Sequence, residues 1–151
     1  MRPLILALFC SLTLGVAGEP ASLKLSRTIP LPGVKGRFDH FAVDVKGHRL
    51  FVAALGNDTL EVMDVAAGKR LQSITDLHKP TGVVFFTASG EFGVANGDDG
   101  TFKVFDGTSF KHKRTLGSLD DADNLRFDTK SGATYVGYGS GALAVLDAAT
   151  C

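Results

Sequence analysis

The side chains with chemistry to offer stand in short polar runs that recur along the chain. Arg37-Phe38-Asp39-His40, Lys79-Pro80-Thr81-Gly82 and Asp121-Ala122-Asp123-Asn124 follow one another at a spacing of 42 residues. In this register Asp39, Thr81 and Asp123 are equivalent, as are His40, Gly82 and Asn124. A second set of runs holds Asn57-Asp58 and Asn96-Gly97-Asp98-Asp99. Asp39-His40 is the sharpest candidate, because an imidazole beside a carboxylate can serve as a general base or hold a metal ion. The plainer reading is a surface histidine whose aspartate neighbour points to the opposite face, as consecutive strand residues do.

Other chemistries lack their signatures. There is no His-x-x-x-His or paired-cysteine spacing for a structural zinc. No Gly-x-x-x-x-Gly-Lys phosphate loop and no Gly-x-Ser-x-Gly elbow occurs. Asp121-x-Asp123-Asn124 has a passing likeness to a calcium loop, but Arg126 stands where the glycine belongs and no glutamate closes it. His48, His78 and His112 fall in turns or outer strands and read as surface residues. No catalytic set, metal or cofactor is therefore expected, and Arg37, Asp39, His40, Asn57, Asp58, Lys79, Thr81, Asn96, Asp98, Asp123 and Asn124 remain as candidates for a ligand-binding rim.

These runs are positioned by a repeat of about forty residues. Leu50-Phe51-Val52-Ala53 leading to Thr59–Asp64 returns as Phe92-Gly93-Val94-Ala95 leading to Thr101–Asp106, and again as Thr134-Tyr135-Val136-Gly137 leading to Ala142–Asp147. The closing aspartates are 42 and then 41 residues apart. Each unit divides into four short strands. The first lies at 41–45, 83–86 and 125–128, the second at 50–54, 92–95 and 134–137, the third at 59–64, 101–106 and 142–147. The fourth lies at 70–75 and 113–116. Gly47, Ser89-Gly90, Asp99-Gly100 and Ser140-Gly141 supply tight-turn chemistry between them. The aspartates ending the third strands are expected to accept hydrogen bonds from their own turns. Lys111-His112-Lys113-Arg114 is expected to guard an edge strand against unwanted pairing.

Short strands at this period predict an all-β chain, a β-propeller of four-stranded antiparallel blades. The blades lie near 37–78, 79–120 and 121–151, so the propeller is incomplete, with about three blades where closed rings have four to eight. Residues 23–31 resemble a fourth strand, with Ile29 aligned to Ile74 and Leu116. This N-terminal segment is expected to pair as the outer strand of the last blade. Three origins fit the count: a piece of a longer propeller, self-assembly of copies into a larger ring, or an open β-rich remnant with exposed edges.

Arg2, the apolar run Leu4–Val16 and the small residues Val16-Ala17-Gly18 read as a signal peptide over 1–18. The domain is then 19–151, periplasmic or secreted, without a stable membrane anchor after cleavage. Only Cys151 remains in the mature chain, so no internal disulfide forms. Sixteen basic and sixteen acidic residues balance to a net charge of zero, which argues against nucleic acid as a partner.

Leu50-Phe51-Val52-Ala53, Thr59–Asp64 with Gly68-Lys69, Thr101–Asp106, and Tyr135-Val136-Gly137 leading to Leu146-Asp147 together resemble the repeat of the YVTN-type, YncE-like β-propellers of secreted bacterial proteins. Tyr135-Val136-Gly137-Tyr138 is the form nearest to the family's tetrad. The resemblance implies a parent ring of about seven blades, an extracytoplasmic location and a binding role; it brings no catalytic motif. The leading reading is a binding or scaffold module for an unknown small molecule or protein ligand. Two others stand beside it: part of a periplasmic propeller enzyme, a metal-dependent lactonase-like hydrolase or a dehydrogenase subunit, with its metal at Asp39, His40, Asp123 or Asn124; and a structural protein that self-associates through open blade edges.

Overall fold

A computed structural model describes residues 23–139 and 141–147, so the signal-peptide segment and Cys151 lie outside the described residues. Three antiparallel sheets follow one another along the chain. The first holds β1 (Phe41–Asp44), β2 (Arg49–Ala54), β3 (Thr59–Asp64) and β4 (Lys69–Ile74) in sequence order. The second holds β5 (Pro80–Phe86), β6 (Glu91–Asn96), β7 (Thr101–Asp106) and β8 (His112–Leu116). The third holds β9 (Leu125–Phe127), β10 (Ala133–Tyr138) and β11 (Ala142–Asp147). Each is a meander of the kind that makes a propeller-like blade.

The sheets stack face to face through two apolar layers. Phe51, Leu60, Val62, Val83, Phe92 and Phe105 fill the layer between the first and second sheets. Phe86, Phe102, Val104, Leu125, Val136 and Leu146 fill the layer between the second and third. The unbroken apolar run Val83-Val84-Phe85-Phe86 follows from this geometry. Alternate residues of β5 serve opposite layers, Val83 and Phe85 the first and Val84 and Phe86 the second. Ring pairs consolidate the first layer, with Phe51 and Phe92 centroids 4.8 Å apart and Phe92 and Phe105 stacked at 5.2 Å; each such pair adds about 1 kcal/mol beyond its buried area.

The repeat extends to irregularities. The β3–β4 pairing slips between Val62 and Met63, and the β7–β8 pairing slips between Val104 and Phe105, at equivalent positions. A bulge there bends the outer strand away from the flat sheet. Two of the turn aspartates act as expected: Asp64 Oδ1 accepts from Ala67 N–H at 2.7 Å, and Asp106 Oδ1 accepts from Ser109 N–H at 2.7 Å, while the turn after Asp147 lies outside the described residues.

One expectation is corrected. Residues 23–31 form no strand and do not join β11. Pro30 interrupts the donor row a strand would need, and the Arg27 guanidinium instead donates to the Val65 and Ala66 carbonyls on the first sheet, with the second sheet standing between it and β11. β8 is the edge strand of its sheet, and Lys113 and Arg114 of its basic run both engage Glu91 of β6. Glu61, on the face of β3 opposite the apolar layer, is fully buried: its carboxylate accepts from Thr59 Oγ1 at 2.6 Å, Ser73 Oγ at 2.8 Å and Arg70 Nη1 at 3.1 Å.

Candidate functional site

The connection before β1 is held between two sheets. Asp39 N–H donates to the Ala53 carbonyl at 2.8 Å, Ala53 N–H returns a bond to the His40 carbonyl at 3.0 Å, and His40 N–H reaches across to the Thr81 carbonyl at 3.2 Å. The next junction is made by a side chain. Thr81 Oγ1, buried, donates to the Ala122 carbonyl at 2.7 Å. Gly82 permits this approach, since a Cβ there would lie 2.3 Å from the Asp123 carbonyl oxygen. The segment before β1 and the two inter-sheet connections are thereby drawn together.

They enclose a cleft of about 460 Å³ lined by Arg37, Asp39, His40, Lys79, Asp121 and Asp123, with Thr81 at its base. A larger concavity of about 650 Å³ lies elsewhere, at Val43, Val45, Phe85 and Thr87. Its exposed lining is mostly apolar, so the smaller polar cleft is the better candidate for selective binding.

The candidate residues divide sharply. Asn96 is fully buried and spent on the fold: its Oδ1 accepts from His78 N–H at 3.1 Å and its Nδ2 donates to Thr101 Oγ1 at 3.2 Å. Asn57 bridges Lys35 N–H and Thr59 Oγ1. Asp58 accepts from Lys79 N–H at 2.8 Å. Asn124 accepts from Arg126 Nη1 at 2.5 Å. Thr81 is committed to the inter-sheet bond. These five hold the rim in shape.

The remaining residues carry its charge. Lys79 Nζ lies 2.7 Å from Asp98 Oδ1, which raises the lysine and lowers the aspartate from their ordinary values. Arg37 Nη2 lies 3.4 Å from Asp39 Oδ2. Both rim cations thus have carboxylate partners. Among the described residues, no side-chain hydrogen bond engages the carboxylates of Asp121 and Asp123, and Asp121, unforeseen as a candidate, joins the cleft with its backbone at φ 51°. Its position in the Lys79 register was the available signal.

Asp39 and His40 do not point apart. The extended rule fails because β1 begins only at Phe41, and His40 Nδ1 sits 2.9 Å from Asp39 Oδ1. That nitrogen is buried and lacks an aligned hydrogen-bond partner. Donor atoms of Asp39, His40 and Asp123 lie within 4.8 Å of one another, a set of two carboxylates and one imidazole that could hold a divalent ion after small side-chain movements. His48 and His112 are exposed, and His78 Nε2 stands 3.9 Å from Asp99 Oδ2 at the surface; none joins the cleft.

No family model and no curated protein matches the sequence. Among solved structures, hydrazine synthase of Kuenenia stuttgartiensis is similar to this chain, with a TM-score of 0.68 and 16% identity over 80% of the chain. The match spans 37% of that protein's chain, and at this identity it shows the fold alone.

Proposed function

We propose that this chain is an extracytoplasmic β-propeller binding module of the YVTN type that takes a small cationic ligand at its polar rim. One observation carries this reading: side chains from three successive connections converge on one cleft in which the carboxylates of Asp39, Asp121 and Asp123 outnumber the cations Arg37 and Lys79, each of which already has a carboxylate partner. A positively charged group entering there meets charge-assisted acceptors, while the repeating strands behind hold them in place. Titration of the isotope-labelled chain with a panel of small amines tests the reading. Resonance shifts centred on the 37–40 and 121–124 connections support it, and shifts absent from both oppose it.

A second reading rests on the Asp39, His40 and Asp123 donor set, which suits the metal centre of a hydrolytic or redox fragment. Metal analysis after dialysis against zinc, calcium or manganese separates the two. Stoichiometric metal retained by the parent chain and lost on His40→Ala favours the enzyme; none retained removes it.

A further inference from the structure

Between the outer strands of the first two sheets lies a second polar cleft, of about 440 Å³. Its walls belong wholly to the two four-stranded sheets and the segments that join their strands. Strand register decides which side chains meet there. Ile74 pairs with Leu60 and Gln72 with Val62, so both point from β4 toward the second sheet. Lys103 stands two residues before Phe105 on β7, and Thr115, its partner on β8, shares that face, pointing back toward the first sheet.

Lys103 is the unusual member of this set. Among the described residues the half-buried cations are Arg49, Lys103 and Arg114. Arg49 faces Asp44 and Arg114 faces Glu91. Lys103 Nζ donates to the Asp76 carbonyl at 2.7 Å, and no described carboxylate pairs with it. That carbonyl satisfies one of three donors and balances no charge, which a partly desolvated ammonium needs. The rest of the cleft adds hydrogen-bonding groups over an apolar floor. Gln72 offers its amide, and Thr115 Oγ1 lies 2.7 Å from His112 Nε2. Ile74 and Phe105, both buried, form the floor with Phe110, and the His112 ring stands edge-on to Phe105 at 5.5 Å.

We propose that this cleft binds a small organic carboxylate, with its charged group at Lys103 and its apolar body on Phe105 and Phe110. The ligand supplies the counter-charge that the protein leaves out, through a charge-assisted hydrogen bond from the ammonium and further bonds from Gln72 and Thr115. A flat ring suits a slot between two sheets whose floor is aromatic. A simple inorganic anion would satisfy the ammonium and leave that floor uncovered. The site is independent of the polar rim cleft, since no residue lines both.

Amide-resonance titration at neutral pH tests it, with benzoate as the probe and benzamide as its neutral counterpart, on the parent chain and on Lys103→Met. Methionine keeps the straight apolar stem, and the strand resonances verify that the variant folds. The proposal expects saturable benzoate shifts over 72–76 and 103–115, with affinity for benzamide lower by about tenfold or more. Lys103→Met should lose that preference. Absence of benzoate shifts at those residues overturns the proposal, as do shifts confined to the 37–40 and 121–124 connections. Benzamide binding as tightly as benzoate overturns it on the parent chain alone, whatever the variant does. A preference that survives in Lys103→Met overturns it as well, because the charge then is not what selects the ligand.

Discussion

Arg49 and Asp44 form a clamp that spans the first two sheets. Arg49 Nη2 and Nε lie 2.7 and 2.9 Å from the same Asp44 oxygen, and the third guanidinium nitrogen donates to the Gly107 carbonyl of the second sheet. The same guanidinium stands 5.5 Å from the ring centroids of both Phe51 and Phe85. One side chain therefore ties the base of β1 to its neighbour by charge, hydrogen bond and cation–π contact. Arg49→Lys keeps the charge but loses the planar fork. We expect Arg49→Ala to lower the unfolding free energy by about 2–3 kcal/mol and Arg49→Lys to recover less than half of that, read from urea midpoints.

Acid should weaken the fold in a defined window. Burial alone would raise the Asp44 carboxyl, but the Gly47 N–H and the Arg49 guanidinium outweigh it and hold it below its ordinary 3.8. The Arg114 guanidinium, opposed by burial and aided by Lys113, holds Glu91 below its ordinary 4.5. Groups depressed in the folded state add stability in full above those ordinary values and lose it as pH falls through the folded ones. Urea midpoints should be level from neutral pH down to about 5 and fall progressively below that. In Asp44→Asn the fall should be shallower, from a lower plateau; equal slopes in variant and parent would contradict the assignment.

Glu61 is the buried charge on which β4 depends. Removing its carboxylate leaves Arg70, Thr59 and Ser73 without their acceptor. Glu61→Ala should cost about 2–3 kcal/mol. Hydrogen exchange should show the loss first in the Lys69–Ile74 amides, since β4 is the strand those bonds hold.

Gly82→Ala tests how the rim is built. The added methyl would meet the Asp123 carbonyl oxygen at 2.3 Å and Leu125 Cγ at 2.7 Å. The third sheet must move away, at a cost of about 1–3 kcal/mol. The rim should respond as well, because Asp123 is carried away from His40: amine affinity should fall although no cleft side chain has changed.

Much of the fold was legible because its signals are local. Alternating apolar residues and turn glycines placed the eleven strands of the described residues to within a few residues, and the aspartates of the third-strand turns showed their capping role by recurring. Alternation tells which face a residue occupies, not what covers that face, so the burial of Glu61 could not be read. The segment 23–31 has a strand's pattern, yet pairing needs an edge within reach, and Arg27 anchors it to the first sheet, away from β11. At the rim, the register picked out the connections that line the polar cleft. It could not show that Asn96, Asn57 and Thr81 are consumed by backbone and neighbouring side chains, nor that Asp39 and His40 meet outside the strand.

The account stands most directly on the Asp121 and Asp123 carboxylates of the rim. The deciding measurement is an amide-resonance titration of the parent chain and of Asp121→Asn/Asp123→Asn with the small-amine panel. The account predicts saturable shifts at the 37–40 and 121–124 connections in the parent and their loss in the double variant, with the strands unchanged. Shifts that persist in the variant, or that gather instead around Val43 and Phe85, would contradict it.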